Sequence, residues 1–416
     1  MFERVDLKFI KTIQTIILFV LLNSSIYLAI QMYFSSGPIR LVLIALMNAS
    51  VFLLVRSAIR VKRDEFDVNI YFKFIFTILI MWSLFTIFRS VSLNSKDLIS
   101  LFGHTNMGWT WIAPLAVVLG LNIYNWLYLF DSFAKVMLIA SIIAIGAFTY
   151  PDGIMFGLIE WMSFLPLMIM TFFYQKKFNQ RVVIFSVIMF LVLSFYVSQR
   201  ANLIFLIMLL IFSLIEYYRQ PQVSAMKKVI LFYVLVIAIL LFSFKVNSIL
   251  YDLSNNQEVT QDTRTFLVEE MYEDMSDNEL LIGRGALGTY FSPYFYYLRK
   301  SGFEGGDSAT RAVNEIGYLE IVLKGGYVMV ALYVLFLLPA AFLGIFASKN
   351  ILSRASGYYI LAHLLLWGLT YMPIYSPKFI LLWMAAGSAI SKRSRRTTTS
   401  ELLVNVKGKL QFKGQK

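Results

Sequence analysis

Continuous apolar runs of roughly 18–22 residues recur along this chain of 416 residues, and they constrain its fold more than any other feature. Hydrophobic residues make up 59% of the sequence and charged residues 15%, whereas soluble domains carry about 25% charged residues. In lipid the backbone must bond to itself, so only helix bundles and closed barrels cross a bilayer. Barrel strands would alternate apolar and polar residues over about ten positions, which these runs do not. The sequence therefore predicts an all-α polytopic membrane protein.

About twelve of these runs are long enough to form transmembrane helices. The predicted spans are 10–33, 39–59, 70–88, 108–123, 131–149, 154–173, 181–198, 201–218, 228–247, 315–346, 354–372 and 377–391. The tenth span is longer than one crossing requires. We therefore expect that its first turns stand outside the hydrocarbon or that it ends in a tilted segment.

Basic residues fall on one side of this layout. They comprise Arg4, Lys8, Lys11, Arg56, Arg60, Lys62, Arg63, Lys176, Lys177, Arg181, Arg219, Lys227, Lys228, Lys349, Arg354, Lys392, Arg393, Arg395 and Arg396. Cytoplasmic loops of membrane proteins carry an excess of Lys and Arg. The pattern predicts that both termini are cytoplasmic, and that the basic tail lies disordered against anionic membrane lipids.

A long polar insert separates the ninth and tenth predicted spans. It is acidic overall and rich in Arg, Gly and Tyr, and the charge layout predicts that it is external. The predicted organisation is a bundle over 1–247, an external loop over 248–313, three spans over 314–391 and a tail over 392–416. A loop of about 65 residues exceeds what a connection needs, so we expect a reaction or binding event there.

Residue counts exclude several kinds of site. The chain has no cysteine, which excludes disulfide scaffolds, thiolate metal sites and Cys nucleophiles. It has two histidines, His104 and His363, so a metal centre built from several histidines is not expected. Although the net charge is +13, the basic residues cluster between spans and in the tail, so nucleic acid is not an expected partner.

The first motif in the insert is glycine-rich. Residues 283–288 fit the pattern G-x-G-x-x-G, but they lack the β-α-β frame of a dinucleotide-binding site. We instead expect Gly283 and Gly285 to let the backbone turn tightly near an anion. Arg284 would point into the same place.

The second motif precedes the tenth span. Arg311 and Glu315 are four residues apart, so they can share one face of a helix. A carboxylate at the membrane surface beside arginines is a candidate general base. The alternative is an ion pair that only anchors the helix.

Other polar residues have less distinctive settings. Arg200 lies at a tight external turn, where it either meets an anionic partner or reaches lipid headgroups. His104 and Asn106 lie in an external loop and are candidate substrate contacts. Further polar side chains fall within or near spans, and we expect pairing, snorkelling, a cavity contact or burial in the core for Glu160, Lys245, Lys324 and His363.

With these residues in hand, the chain resembles the O-antigen polymerase and ligase family of bacterial envelope glycosyltransferases. The matching segments are Ser198–Ala201, Thr263–Phe266, Gly283–Tyr290 and Glu315–Gly326. They cover the second half of the chain, whereas the first half matches by span pattern alone.

One segment separates the two branches of that family. The ligase branch carries a His, then Asn, Ser or Gln, then nine residues, then Gly. Here Glu315 stands in place of the histidine and Ile316 in place of the Asn, Ser or Gln. After nine further residues, Gly326 occupies the position of the final Gly. The resemblance therefore favours the polymerase branch.

The resemblance implies a GT-C-like, metal-independent transferase of the bacterial inner membrane that uses sugars linked to undecaprenyl diphosphate, without a cofactor. Arginines would hold the departing diphosphate, since guanidinium groups bind phosphate oxygens bidentately. Glu315 would take the proton of an acceptor hydroxyl. The implied substrate-binding residues are Arg200, Arg264, Arg284, Arg311, Gly283, Gly285 and Tyr290, with sugar-facing rings at Tyr290, Tyr294, Tyr296 and Tyr297.

Three functions stay open at this point. A polymerase would transfer a glycan from its lipid diphosphate to a lipid-linked repeat unit on the external face. A ligase would move glycan to another acceptor, and a flippase would carry the lipid-linked oligosaccharide across the membrane. A polymerase would work with a flippase and a chain-length regulator of the same pathway. A flippase does not need a long external loop, and we find neither a repeat nor a charged central cavity in the sequence.

Overall fold

The computed structural model describes residues 7–33, 38–60, 67–91, 94–147, 161–172, 175–196, 200–219, 265–300, 309–368 and 373–402. Helices make up most of this part. The first half contains α1 (Leu7–Tyr33), α2 (Pro38–Arg60), α3 (Ile70–Phe88), α4 (Ser95–Gly103), a 3₁₀ helix (Gly108–Ala116), α5 (Val117–Gly120), α6 (Ile123–Ala147), α7 (Leu165–Met170), α8 (Lys177–Tyr196) and α9 (Arg200–Arg219).

The second half contains the insert and the last helices. Its helices are α10 (Thr265–Asp274), α11 (Asp277–Ile282), α12 (Pro293–Lys300), α13 (Gly317–Phe346), α14 (Ile351–Trp367), α15 (Pro377–Ile390) and α16 (Lys392–Arg396). Two short strands, β1 (Tyr290–Phe291) and β2 (Thr310–Arg311), pair antiparallel with Tyr290 opposite Arg311.

The long apolar helices have the character of membrane helices. Among the described residues, five helices are long and apolar enough to cross a bilayer, namely Leu41–Arg60, Ile70–Phe88, Ile123–Ile145, Lys177–Ser194 and Gly317–Phe346. Large apolar side chains stand exposed along them, as at Phe52, Phe74, Ile142, Ile184 and Phe342. Such surfaces are costly in water and suit contact with lipid. The chain is thus a helical membrane protein, while the count of twelve spans stays a prediction.

Three predicted spans differ from the structure or lie beyond it. Residues 108–123, predicted as one membrane helix, form the 3₁₀ helix followed by the single turn α5. Pro114 lacks the N–H that a regular α-helix would use at that position. Of the predicted span 154–173 only α7 is described as a helix, and 228–247 lies outside the described residues.

Helix α15 lies at the centre of the bundle. Every residue of α15 is buried, and the helix packs against the 3₁₀ helix, α5, α13 and α14. A helix enclosed by protein in this way has little contact with lipid. Its apolar sequence therefore reflects burial within the bundle, which explains why 14 residues suffice.

The two ends of the bundle differ in what they contact. At the start of α3, the carbonyl of Asp67 accepts from the backbone N–H of Lys392 at 3.0 Å, in the basic segment that ends the described chain. At the other end of α3, the carbonyl of Thr86 accepts from Ala286 of the insert at 3.0 Å. The 19 residues of α3 span about 28 Å, close to the thickness of a bilayer core. Basic segment and insert thus lie at opposite ends of the bundle.

Helix α13 is broken near its beginning. Gly326 has φ 71° and ψ −178°, which separates residues 317–325 from the longer segment 327–346. The helix begins at Gly317 rather than at the predicted residue 315, because Ile316 has an extended backbone. The break divides the predicted tenth span in two, while the position of its first turns outside the hydrocarbon stays a prediction.

Candidate functional site

The break in α13 exposes carbonyl groups that the helix itself does not use. Three of them accept hydrogen bonds from elsewhere: Leu323 from Arg284 N at 2.8 Å, Lys324 from Gly285 N at 2.9 Å and Gly325 from Trp82 Nε1 at 2.8 Å. Unpaired carbonyls are costly inside a membrane protein. The insert and α3 therefore supply the hydrogen-bond donors that the carbonyl groups at the break would otherwise lack.

The glycine loop, defined as residues 283–288, is bound to α3 as well as to α13. The carbonyls of Ile282 and Gly283 accept from the Arg89 guanidinium at 2.9 and 2.7 Å. Ala286 N donates to Thr86, and Leu287 N donates to Ser90 Oγ at 3.0 Å. The loop is thus wedged between two helices of the bundle.

These contacts correct the prediction that Gly283 and Gly285 let the backbone turn tightly near an anion. The backbone N–H groups of residues 284–287 donate to Leu323, Lys324, Thr86 and Ser90, and that of Gly288 donates to Gly285 at 2.8 Å. An anion-binding nest needs successive N–H groups that point at the ligand. Here all five N–H groups already donate to protein acceptors. The glycine motif therefore attaches the insert to α3 and α13.

Gly283 and Gly326 make this docking possible. Their φ values are 76° and 71°, in a region of backbone conformation that residues with a Cβ rarely adopt. A Cβ on Gly283 would lie 2.3 Å from the carbonyl oxygen of Lys324, and one on Gly326 would lie 2.2 Å from that of Leu281. The two backbones are therefore in direct contact.

Arg284 organises the insert instead of facing outward. Its guanidinium donates to the Asp274 carboxylate, to both Glu279 oxygens at 3.0 Å, to Asp274 O at 2.5 Å and to Thr289 O at 2.7 Å. These bonds use all five N–H donors of an arginine. The hydrogen bond from Arg284 lowers the pKa of Glu279 to about 2. The contacts therefore do not support Arg284 as a ligand of the diphosphate.

Arg311 and Glu315 do come together, though not on a helix. Arg311 lies in β2, and the turn that follows brings the Glu315 carboxylate 3.2 Å from its Nη2. The guanidinium stacks on Phe295, with Cζ 3.8 Å from the ring centroid. The Arg311 side chain is 14% exposed and that of Glu315 is 52% exposed. An accessible carboxylate is thus held by an almost buried cation.

A buried ion pair lies directly beneath this turn. Glu320 and Lys324 are one helical turn apart in α13, neither side chain is exposed, and Lys324 Nζ is 3.9 Å from Glu320 Oε1. From the sequence, Lys324 is predicted only to snorkel or to pair, and Glu320 is not among the predicted site residues. The spacing of two opposite charges within an apolar helix was a signal that could have identified them.

The ion pair fixes the segment that carries Glu315. Lys324 Nζ donates to the carbonyls of Gly288 at 2.7 Å and Ala312 at 2.6 Å. Glu320 Oε2 accepts from the backbone N–H of Asn314 at 2.7 Å. Two residues between Arg311 and Glu315, namely Ala312 and Asn314, are therefore attached to α13 through buried charges.

Three buried polar atoms beside the pair have no hydrogen-bond partner within the described part of the chain. They are Glu320 Oε1, Arg311 Nη1 and Tyr290 Oη. Burial raises the pKa of Tyr290 to about 12, and the charges of Arg311 and Glu320 act on its hydroxyl. Tyr290 is therefore a neutral hydroxyl at ordinary pH. A hydroxyl group placed here could donate to Glu320 and accept from Arg311.

The tyrosines after β1 form the outer surface of the insert. Tyr294, Tyr296 and Tyr297 are exposed, and the ring of Tyr294 lies 4.4 Å from that of Phe266. Exposed aromatic faces of this kind suit sugar rings and also suit the headgroup layer. Their role in sugar binding stays a prediction.

The remaining candidates lie elsewhere in the described structure or outside it. Arg200 begins α9, but its side chain lies outside the described structure, as do Arg264, Glu160 and Lys245. His104 directly follows α4 as its C-cap residue, and His363 is buried in α14 with its ring 4.8 Å from that of Phe205. The structure thus brings together Tyr290, Arg311, Glu315 and Lys324, with Glu320 added to them.

No protein-family model, curated protein or solved structure matches this chain. The resemblance noted in the sequence therefore rests on its quoted motifs, and the function is argued from the geometry of the site.

Proposed function

We propose that this chain is a polysaccharide repeat-unit polymerase of the bacterial inner membrane. It would transfer a glycan from undecaprenyl diphosphate to a lipid-linked repeat unit on the external face. The observation that carries the proposal is the Glu315 carboxylate, half-exposed and held 3.2 Å from the guanidinium of Arg311. This pair lies at the insert end of a bundle of membrane helices.

The chemistry needs a base and a stabilised leaving group. The acceptor hydroxyl oxygen bonds to the anomeric carbon of the donor, and the bond from that carbon to the diphosphate oxygen breaks. The electron pair leaves with the lipid diphosphate, and the hydroxyl proton moves to Glu315. Arg311, which has an Nη1 group without a protein acceptor in the described chain, would stabilise the charge that develops on the diphosphate. Arg200 and Arg264 are the further proposed cations.

The location of the reaction follows from the two ends of the bundle. Basic residues predominate at the end that holds Lys392, while the insert lies about 28 Å away at the other end of α3. By the positive-inside rule the basic end faces the cytoplasm. This supports cytoplasmic termini and an external site, where a flippase would deliver repeat units and a chain-length regulator would act.

Glu315→Gln tests the proposal, because glutamine keeps the shape of the side chain but accepts no proton. In a strain lacking the wild-type gene, we expect polymerisation to fall by roughly 100-fold or more. Lipid-linked glycans extracted from these cells should be single repeat units instead of a ladder. Glu273→Gln, an exposed change on α10, is the matched control and should give the normal ladder.

Other functions would give different products in the same strain. A ligase would leave polymer on undecaprenyl diphosphate, and a flippase would leave no repeat unit on the external face. A normal ladder from a stably expressed Glu315→Gln protein would contradict the catalytic role of Glu315.

A further inference from the structure

A polar depression of about 490 Å³ lies where α3, α4 and the insert meet. Its wall includes Arg89 and Ser90 at the end of α3, Asp97 in α4, and Arg284 and Thr289 in the insert. Only one of these five side chains is acidic. The depression is separate from the Arg311–Glu315 pair, because neither residue lines it.

Arg89 has N–H groups in this depression that do not donate to any acceptor among the described residues. Two of the five N–H groups of a guanidinium donate to Ile282 and Gly283, so three have no acceptor within the described residues. Arg89 also has no carboxylate within ion-pair distance in the same part of the chain, whereas Arg284 is neutralised by Asp274 and Glu279. The cation of Arg89 thus forms no ion pair with a described acid, although Asp97 lines the same depression.

Two hydroxyl groups add to the donors. The side-chain hydroxyl of Thr289 has no hydrogen-bond partner among the described residues, since Arg284 takes only the Thr289 carbonyl. Ser90 Oγ accepts from Leu287 at 3.0 Å, which leaves its own hydrogen to donate. One guanidinium and two hydroxyls around a cavity form a donor set suited to phosphate oxygens.

The position of the depression along α3 indicates which kind of molecule carries the phosphate. Arg89 directly follows the last residue of α3, about 28 Å from the start of that helix. This is the level at which lipid headgroups lie when α3 crosses a bilayer. A phosphate attached to a membrane lipid can therefore reach Arg89 while its chain stays in the hydrocarbon.

We propose that this depression binds the diphosphate of the lipid-linked repeat unit that acts as acceptor. The inference rests on the proposed function, because a polymerase must hold two lipid diphosphates at once. The donor diphosphate, which leaves, belongs beside Arg311 and Glu315. The acceptor diphosphate takes no part in the reaction and needs only an anchor, which Arg89, Ser90 and Thr289 supply.

Counting bound lipids tests the proposal without any sugar transfer. The purified protein in detergent is titrated with undecaprenyl diphosphate and examined by native mass spectrometry. We expect two lipids on the wild type, one on Arg89→Gln, and two on Lys177→Gln, a control that removes an exposed charge at the basic end. Thr289→Val, which keeps the shape of the side chain, should weaken one of the two sites about tenfold.

Thr289→Val keeps the test decisive if Arg89→Gln loosens the glycine loop. Wild-type binding by a Thr289→Val protein with an unchanged melting temperature would overturn the proposal. Displacement of undecaprenyl diphosphate by an equal concentration of phosphatidylglycerol would also overturn it, since the depression would then be a general headgroup site. Loss of polymerisation in Glu315→Gln with two lipids still bound separates this inference from the reaction itself.

Discussion

Lys324 holds Glu320 and two carbonyl groups of the insert at the same time, although its side chain is completely buried. Its Nζ lies 3.9 Å from Glu320 Oε1, 2.7 Å from Gly288 O and 2.6 Å from Ala312 O. A buried charge requires several such partners to offset the loss of water. The insert supplies two of them, so insert and helix stabilise one another.

Removing one member of this pair should destabilise the protein strongly. Lys324→Met leaves the Glu320 carboxylate buried without its counter-charge, which we expect to cost about 3–5 kcal/mol. The double variant Lys324→Met/Glu320→Gln removes both charges and should recover part of that loss. Melting temperatures of the detergent-solubilised variants measure this. A double variant no more stable than Lys324→Met would show that the two charges are not coupled.

The glycine contact at the helix break should tolerate no side chain. Gly326→Ala and Gly283→Ala each place a Cβ within 2.3 Å of a carbonyl oxygen, at a positive φ. We expect little or no monodisperse protein from either variant in size-exclusion chromatography. Gly368→Ala is the matched control, because its Cβ would lie 3.5 Å from the nearest atom and its φ is negative. Normal yields from all three would mean that the break can rearrange.

The Glu279–Arg284 contact predicts a defined dependence on pH. The folded carboxylate keeps its charge down to a pKa of about 2, whereas an unfolded glutamate takes up a proton near 4.5. The stabilisation is therefore complete above about pH 5 and is lost as the pH falls from 4.5 to about 2. We expect Glu279→Gln to be cleaved faster than wild type in the insert at pH 7, with the difference shrinking at pH 3.

The control for that experiment is Asp277→Asn, an exposed change in the first turn of the same helix. It should match wild type at both pH values. A difference for Glu279→Gln that is equally large at pH 7 and pH 3 would argue against the ionised contact.

Single cysteines can test the orientation, because the chain has none of its own. Asn278 and Ser400 are both exposed, the first in the insert and the second in the basic segment. An impermeant maleimide added to intact spheroplasts should label Asn278→Cys and leave Ser400→Cys unlabelled until the membrane is opened. The reverse labelling pattern would reverse the proposed topology.

Sequence periodicity and length predicted α2, α3, α8 and α13 within a few residues, because each is a long apolar run. Helix α6 was predicted with a later start, since it begins at Ile123 instead of residue 131. The contact between Arg311 and Glu315 was also predicted, although a turn produces it instead of a helix. The docking of the glycine loop could not be predicted. It depends on carbonyl groups about 40 residues away that become available only because Gly326 breaks the helix. Local spacing carries no information about such a partner.

The break at Gly326 also limits how this architecture can evolve. A residue with a side chain at Gly326 would favour a straight helix, and that helix would bond Leu323 and Lys324 internally. The N–H groups of Arg284 and Gly285 would then lose their acceptors. Neither segment can diverge alone without a penalty. Insert and broken helix must therefore be inherited, or grafted into another chain, as a single unit.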